Sequence, residues 1–401
     1  MSSNKLTTTV GRREFLAGTA AAFTIVRPSA VRGSTANSTI ELGMLGCGGR
    51  GTWIVPLFQK HGKYKFVTCA DYYPEHADRV GEMCQIPANK RFSTLSAYKR
   101  MYDTKFDAVV IETPPYFHPE QAAAAVDAGK HVYCAKPIAV DVPGCRSFEA
   151  SGKKATEKKL VFLVDFQTRA NEHYREAARR IHRGDIGKLV SGDAKYPCGV
   201  MGLKTPATPD DRLRCWYCDK ALSGDFIVEQ SIHALDVATW MINAAPVAAM
   251  GRGVSKGLRA YGNIWDSFTL VYEFPDSVNL SFHCVQMVHG APNEIQCRIY
   301  GANGTFDSDY FRFVSIQSPD KAYPRQEFTD LYTSGTVVNI NEFYQAITGG
   351  DYSNPTVAPS VRSNLTAVMG REVAYRKELL TWDALLKSSE RLEADLSGLK
   401  S

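Results

Sequence analysis

The 401-residue sequence predicts an α/β fold with a doubly wound parallel sheet in its first half. The second half is predicted to be an α+β domain on a large, mostly antiparallel open sheet. From Ile40 to Val164, short apolar runs alternate with helical patterns, which is typical of parallel strands joined by crossover helices. A glycine-rich turn follows the first run. Beyond Asp165 several strands follow one another with only turns between them, which indicates antiparallel pairing.

Composition narrows the class of protein. Apolar residues make up 44% and charged residues 22%, as in ordinary globular proteins. No apolar run is long enough to span a membrane. Most of the net charge of +5 lies in the first 36 residues, which hold five cations and one acid. The remainder is nearly neutral, so we expect no nucleic-acid partner.

Residues 1–36 are predicted to be a Tat-type export signal. Arg12 and Arg13 precede a mildly apolar stretch, Leu16 to Val26, that is less hydrophobic than a membrane anchor. We therefore expect the Tat machinery to be a partner and the protein to be periplasmic or in the cell envelope. The alternative is a disordered basic tail.

The first strand, Ile40 to Leu45, runs into a G-x-G-x-x-G motif and a helical pattern over 52–59. Gly46 permits the tight turn, Gly48 lets a pyrophosphate approach, and Gly51 allows the helix to pack on the strand. Backbone N–H groups at the helix N-terminus would hold the phosphates. The predicted cofactor-binding loop is Gly46, Cys47, Gly48, Gly49, Arg50 and Gly51.

Asp71 ends the second predicted strand, 65–70, and lies 20 residues beyond Gly51. A carboxylate at this point accepts hydrogen bonds from a ribose 2′-hydroxyl and repels a 2′-phosphate. The cofactor is therefore predicted to be NAD, with NADP less favoured. Asp71 could instead be a turn residue or a helix cap before Pro74.

The alternation continues to residue 164, where the first domain is predicted to end. We assign residues 37–164 to a Rossmann NAD-binding domain and 165–401 to an α+β substrate and oligomerisation domain. Right-handed crossovers place the strand ends on one side, beside the cofactor. Further helices are predicted at 74–84, 95–101, 119–128 and 143–158, and strands at 107–112, 131–134 and 160–164.

Two strand ends carry motifs, TPPYFH at 113–118 and AGKHVYCAKP at 128–137. GDIG follows at 184–187, and then a predicted helix, Asp225 to Met241, which bears Glu229, His233 and Asp236. With the glycine loop, these segments resemble the Gfo/Idh/MocA family of oxidoreductases over about residues 40–383. The resemblance implies an NAD(P)-dependent enzyme acting on a sugar or cyclitol. Two positions depart from the family pattern: Ala135 stands where a Glu usually precedes Lys-Pro, and Glu229 stands where an Asp is common.

The resemblance gives Lys136 a role in binding substrate and relaying a proton beside the nicotinamide. The alternative is a structural lysine that caps its loop. His233 is our first choice for the base that takes a hydroxyl proton. Glu229, four residues earlier, would orient it or contact the sugar. An ion cluster on the helix surface and a divalent metal site are alternatives, and we predict no metal.

The remaining site predictions come from position. Thr113, Pro114 and His118 follow a strand end and are expected near the cofactor. The alternative for His118 is a histidine that holds its own loop. The substrate-binding set is predicted from strand ends, donor chemistry and aromatic stacking. Loop support and buried packing are the alternatives. Besides Lys136, this set consists of Gln167, Arg169, Tyr217 and Asp236.

In the second half, helix 174–183 and strands 188–194, 268–274, 278–284 and 295–300 are predicted. One face of this sheet would cover the cofactor, and the other is expected to bury against a second subunit, as in a homodimer or homotetramer. Late helices at 339–348 and 360–379 are predicted to pack back near the first domain.

Export and a nicotinamide cofactor must be reconciled. Free cofactor is expected to be scarce outside the cytoplasm, which favours NAD that is held tightly and restored within each turnover. We predict an oxidoreductase that acts on a sugar, cyclitol or glycoside hydroxyl. One alternative is an NAD-dependent glycosidase, lyase or epimerase that works by transient oxidation. Another is a non-catalytic sugar- or NAD-binding protein.

Overall fold

A computed structural model describes residues 39–199, 205–286 and 294–401. Thr39 to Ser401 form one compact unit. The predicted export signal lies outside the described residues. Within the described ranges, no helix is both long enough and apolar enough to cross a lipid bilayer.

The first half is a six-stranded, wholly parallel sheet in the order β3-β2-β1-β4-β5-β6. Strands β4 and β6 are buried along their whole length, because helices cover both faces of the sheet. Their continuous apolar runs follow from this burial. The strands are β1 (Ile40–Leu45), β2 (Tyr64–Asp71), β3 (Arg91–Ser93), β4 (Ala108–Ile111), β5 (His131–Ala135) and β6 (Phe162–Asp165).

The crossover helices confirm the α/β prediction. Each lies within a few residues of its predicted bounds, since apolar periodicity places a helix better than it places its ends. They are α1 (Gly49–His61), α2 (Pro74–Met83), α3 (Ala97–Tyr102), α4 (His118–Asp127) and α5 (Val142–Glu157).

The second half is built on a nine-stranded sheet in the order β14-β13-β12-β11-β7-β10-β9-β8-β15. Only β7 and β10 pair in parallel, so the predicted mostly antiparallel sheet is confirmed. Strand β9 alternates buried and exposed residues, as expected for a sheet with one open face. Its strands are β7 (Leu189–Pro197), β8 (Ala248–Val254), β9 (Ser267–Phe274), β10 (Val278–Val285), β11 (Gln296–Gly301), β12 (Gly304–Asp309), β13 (Phe313–Gln317), β14 (Tyr323–Glu327) and β15 (Leu380–Thr381).

The helices of the second half connect the sheet to the strand ends of the first. A 3₁₀ segment, Asp210–Cys218, precedes two four-residue helices and one of 11 residues. The last two helices before β15 pack against α1, α5 and β6. These helices are α6 (Gln167–Ala170), α7 (Glu172–His182), α8 (Lys220–Ser223), α9 (Phe226–Glu229), α10 (Ile232–Ile242), α11 (Leu331–Gly349), α12 (Val357–Arg376) and α13 (Trp382–Leu386).

Candidate functional site

A crevice of about 380 Å³ opens at the carboxyl ends of β1, β2 and β4. Its floor is the glycine turn, and its walls come from the β2–α2 turn, the residues after β4 and the 3₁₀ segment. Ligands of doubly wound sheets bind at this position, where the strand order reverses on either side of β1.

Gly46 and Gly51 are required by close packing. Gly46 has φ +89°, and a Cβ there would lie 2.6 Å from the backbone of Glu112 and Thr113. A Cβ on Gly51 would lie 2.0 Å from the carbonyl oxygen of Gly46. The turn and the following helix therefore close against β4 only with glycine at both positions.

Gly48 and Gly49 instead face open space. A Cβ on Gly49 would meet nothing within 4 Å, and one on Gly48 only His76 Nδ1 at 3.9 Å. Gly48 caps α1 without a side-chain hydrogen bond, and the first turn of α1 holds no acidic residue. The backbone N–H groups of the first turn of α1 are therefore available to an anion, and the glycine turn fits a dinucleotide pyrophosphate.

Asp71 ends β2 and organises the same turn. Its Oδ2 accepts a hydrogen bond of 2.7 Å from the N–H of Cys47, and Oδ1 accepts one of 2.9 Å from the N–H of Tyr73. His76 Nδ1 lies 3.3 Å from Oδ1. The carboxylate also lines the crevice. Asp71 therefore shapes the turn and also faces the crevice. It does not cap α2, whose N-cap is Tyr73 without a side-chain hydrogen bond.

Thr113, Pro114 and His118 lie together after β4. Thr113 and Pro114 line the crevice, whereas His118 is buried behind them. Its Nδ1 lies 2.7 Å from the carbonyl of Pro137 and its Nε2 lies 2.7 Å from the carbonyl of Thr113. Burial lowers the pKa of His118 to about 4 against these two carbonyls, so the ring is neutral near pH 7. His118 ties two strand-end loops together and supports the cofactor wall from behind.

Lys136 follows β5 and is largely buried. Its Nζ donates a hydrogen bond of 2.5 Å to the carbonyl of Glu229 and lies 3.6 Å from Glu229 Oε1. Burial lowers the pKa of Lys136, although Glu229 opposes this effect. The peptide bond from Lys136 to Pro137 is cis. Lys136 and Glu229 therefore form a pair beyond the end of β5, whereas the sequence predicts that Glu229 orients His233 or contacts the sugar. Lys136, Glu229 and His233 do not line the crevice, but the charge of Arg50, which does, acts on both Lys136 and His233.

The predicted helix from Asp225 to Met241 is broken, which corrects the argument for Glu229 and His233. Glu229 ends α9, and α10 begins at Ile232, so the two side chains do not share one continuous helical face. What links them is Lys136, beyond the end of β5, which bonds the carbonyl of Glu229 and whose charge acts on His233. The positive charges of Lys136 and Arg50 both act on His233.

His233 has the environment of a neutral base. It is 7% exposed, and its ring packs against Tyr310 and Phe166 with centroids 5.3 and 6.2 Å away. Burial, and then the charge of Lys136, hold its pKa well below the ordinary range. Among the described residues, Nδ1 has no hydrogen-bond partner. A neutral imidazole that lacks a partner can accept a proton from a substrate hydroxyl.

Arg50 turns out to serve a cluster that sequence reasoning missed. Its Nε lies 2.8 Å from Glu112 Oε2, and its Nη atoms bond Asp165 and Tyr332. Glu112 follows β4 and Asp165 ends β6, the strands on either side of β5, and both side chains are buried. One signal was present in the sequence: a carboxylate closes each of the otherwise apolar runs AVVI and FLV.

The predicted substrate residues Arg169 and Asp236 bind each other. Arg169 Nε lies 2.9 and 3.0 Å from the two oxygens of Asp236, and the guanidinium stacks 5.0 Å from the Trp240 ring centroid. Ser363 donates a third hydrogen bond, of 2.7 Å, to Asp236. In the described structure this pair supports the packing of α10 on its neighbours, and neither residue lines the crevice.

Gln167 and Tyr217 differ in their relation to the site. Gln167 is buried and donates a hydrogen bond of 3.0 Å to Asp165, and it accepts one of 3.4 Å from Tyr310. It therefore belongs to a buried polar group with Asp165 and Tyr310. Tyr217 packs edge to face on Trp216, and Trp216 rather than Tyr217 reaches the crevice.

Replacing Arg169 with methionine is expected to destabilise the fold by about 3–5 kcal/mol, because it leaves the fully buried Asp236 without its cation. Urea unfolding measures this change. The matched control is Arg179→Met, whose ion pair with Glu176 is 70% exposed on the arginine side. The control should cost less than about 1 kcal/mol. A normal unfolding free energy with a raised KM in Arg169→Met would restore its predicted substrate role.

Comparison with known proteins gives two family matches. Residues 40–166 match the model described as "Oxidoreductase family, NAD-binding Rossmann fold", and residues 174–307 match the "GFO/IDH/MocA C-terminal domain". Together they span most of the described chain.

Curated relatives and solved structures agree with these matches. An inositol 2-dehydrogenase of Rhizobium meliloti is 24% identical over 84% of this chain and 96% of its own length. A levoglucosan dehydrogenase of Pseudarthrobacter phenanthrenivorans is 23% identical over 64% of this chain and 75% of its own length. The fold resembles a levoglucosan dehydrogenase solved with NADH and levoglucosan (TM-score 0.71, 18% identity) and a Caulobacter crescentus aldose-aldose oxidoreductase (TM-score 0.69, 19% identity). Each alignment covers 86% of this chain and 99% of the solved one.

Proposed function

We propose a reaction for this chain on one premise: the chain belongs to the Gfo/Idh/MocA family of NAD-dependent oxidoreductases. The reaction is hydride transfer between NAD and a hydroxyl-bearing carbon of a sugar or cyclitol. The observation that carries it is a desolvated lysine, Lys136, whose charge acts on a neutral, buried histidine, His233, beyond the end of the strand next to β4.

When bound, NAD supplies a nicotinamide C4 position that accepts a hydride and gives it back. The chain's own residues do the rest. Lys136 donates a hydrogen bond that orients the substrate hydroxyl, and an imidazole nitrogen of His233 takes the hydroxyl proton. Glu229 fixes the position of Lys136 beyond the end of β5 through its carbonyl. Gly48, Gly49 and Asp71 hold the pyrophosphate and the adenosine ribose.

We also propose that the cofactor is retained from one turnover to the next. Support comes from a clasp, defined as residues 210–218 together with 394–400, that covers the Asp71 end of the crevice. Tyr72 and Tyr73 donate hydrogen bonds of 2.8 and 2.5 Å to the side chain and carbonyl of Asp210. The guanidinium of Arg214 stacks 3.8 Å from the Tyr73 ring centroid and pairs with Glu75.

Residues 394–400, the C-terminal part of the clasp, hold residues 72, 95 and 212 through hydrogen bonds. Lys400 receives a backbone hydrogen bond of 3.0 Å from Leu95 and donates one of 3.2 Å to the Tyr72 hydroxyl. Arg212 donates 2.6 Å bonds to Asp395 and to the carbonyl of Ser397. Cofactor exit past the adenosine end therefore requires several of these contacts to break. Such retention suits an enzyme that restores its NAD within each cycle.

Replacing Arg214 with glutamine is expected to raise the rate of NADH release about threefold to tenfold, because it removes a cation–π contact and an ion pair. Stopped-flow displacement of fluorescent NADH by excess NAD⁺ measures the rate. Arg325→Gln is the matched control, since Arg325 also stacks on a ring (Phe313, 3.4 Å) and pairs with a glutamate, but at β14. Equal release rates in both variants would argue against the clasp.

Two observations test the proposed function directly. Mass spectrometry of ligand gently released from the purified protein should detect NAD or NADH. A panel of sugars and cyclitols should then change the nicotinamide absorbance. If the protein retains no nucleotide and no panel member alters the absorbance, hydride transfer is wrong. Cleavage of chromogenic glycosides without net reduction would instead indicate transient oxidation.

Export and assembly are further proposals. Arg12 and Arg13 favour export by the Tat pathway, and replacing both with lysine should keep the protein in the cytoplasm.

Met250, Val254 and Val271 are 51%, 38% and 41% exposed on the open face of the nine-stranded sheet. We propose that a second copy of the chain covers this face, and sedimentation of the purified protein tests it.

A further inference from the structure

A buried carboxylate, Glu112, lies in the cofactor crevice and has no role in the reaction described above. It follows β4, directly before Thr113, and lines the crevice beyond Gly46 as seen from Asp71. Because Asp71 marks the adenosine side of the turn, Glu112 lies on the side that takes the nicotinamide half of a dinucleotide.

Of two neighbouring carboxylates, Glu112 and Asp165, Glu112 has fewer groups that stabilise its negative charge. Asp165 accepts hydrogen bonds of 2.7 Å from Asn339 and 3.0 Å from Gln167, as well as one from Arg50. Glu112 has only the Arg50 guanidinium, 2.8 Å away, and neither of its oxygens has a well-aligned hydrogen bond among the described residues.

The charges around Glu112 leave an excess of negative charge at this point. Arg50 is one cation shared between two carboxylates, and Lys136 is already paired with Glu229. Ala135 ends β5, which lies between β4 and β6, and it pairs with Asp165. It contributes no charge between Glu112 and Asp165. The titratable or charged groups that face Glu112 are Arg50, Tyr133, Cys134, Lys136, Asp165 and Tyr332.

We infer that Glu112 is a determinant of cofactor redox state, and that its carboxylate makes the crevice bind NAD⁺ more tightly than NADH. The oxidised nicotinamide ring is positively charged and the reduced ring is neutral, so a buried negative charge nearby stabilises only the oxidised form. This inference rests on the proposed binding of NAD in the crevice. It goes beyond that proposal because it assigns the preference for oxidised over reduced cofactor to one side chain.

The preference should depend on pH. Burial raises the pKa of Glu112 to about 7, against the opposing charge of Arg50. As pH rises through this value the carboxyl group loses its proton and becomes negative, so the preference for NAD⁺ should grow. Below it the carboxyl group is neutral and the preference should fade.

The test compares dissociation constants of NAD⁺ and NADH on the full-length protein freed of nucleotide, by calorimetry, from about pH 6 to about pH 8. In the native protein the ratio of the NADH constant to the NAD⁺ constant should rise with pH. Glu112→Gln should lower that ratio about tenfold at the high end and make it flat, which is the scale of one partly screened charge interaction. Glu112→Asp, which keeps the charge, should keep most of the ratio.

Glu82→Gln is the matched control, because Glu82 is an exposed glutamate of α2 outside the crevice. It should leave the ratio unchanged. A ratio that is the same in native protein and Glu112→Gln overturns the inference, and so does a ratio in the native protein that does not change with pH, even if Glu112→Gln fails to fold. Failure of the native protein to bind either nucleotide would instead refute the proposed function.

Discussion

Replacing Lys136 with methionine is expected to lower kcat by about 100- to 10,000-fold, the range usual for loss of a positioned proton-transfer group. Methionine keeps most of the buried volume but offers no donor to a substrate hydroxyl. NAD binding should change little, since the glycine turn, Asp71 and the clasp remain. Steady-state kinetics with the best substrate of the sugar panel and calorimetric titration with NAD⁺ measure the two effects.

Lys130→Met is the matched control for this prediction. Lys130 is also buried, next to the opposite end of β5, where its Nζ donates hydrogen bonds of 2.9 and 3.2 Å to the carbonyls of Phe106 and Thr104. That variant should lose stability without a specific loss of kcat. If Lys136→Met weakens NAD⁺ binding as much as it lowers kcat, Lys136 is a structural lysine, as the alternative interpretation has it.

Replacing His233 with asparagine is expected to lower kcat by a similar factor, about 100- to 10,000-fold, because the substrate hydroxyl loses its proton acceptor. Asparagine fits the buried site and can still form hydrogen bonds. His182→Asn is the control, since His182 is an exposed histidine that bonds the carbonyl of Trp240 at 2.8 Å. Normal turnover in His233→Asn would transfer the role of base to another group.

The pH profile of kcat/KM for the sugar substrate, measured at saturating NAD⁺, gives a second measure of His233. Its pKa is held well below the ordinary value of 6.5, so the ring stays neutral and active as pH falls through 6.5. The acid limb of the profile should therefore lie well below that value. The pKa of Lys136 is lowered from 10.5, so loss of its proton should bring the basic limb below 10.5. An acid limb centred near 6.5 would contradict the buried, neutral His233.

Much of the cofactor half could be predicted, because its signals are local. A glycine that must adopt φ +89°, a glycine whose Cβ would meet a carbonyl at 2.0 Å, and an acid at the end of the next strand each report a constraint within a few residues. The alternation of strands and helices adds a parallel sheet, and a parallel sheet fixes the side on which Asp71, Thr113 and Lys136 emerge.

The substrate half was harder, because its contacts join residues far apart in the chain. Periodicity indicated one helix from Asp225 to Met241, but the chain breaks at Gln230 and Ser231, and Asp225 has φ +75°. Arg169 and Asp236 are 67 residues apart and pair with each other. The sequence shows that Arg169 carries hydrogen-bond donors, but it does not show that a distant residue already accepts those hydrogen bonds.

The sequence by itself determined the parallel sheet, the glycine turn with its acid partner, and the lysine that leaves a strand beside the cofactor. Backbone sterics and side-chain periodicity act over short stretches, so they can be read in chain order. Only the tertiary structure decided that Arg50 pairs with Glu112 and Asp165, and that residues 394–400 hold the 210–218 segment. Such charges and contacts are set by which strand ends and segments become neighbours, and burial then determines their strength.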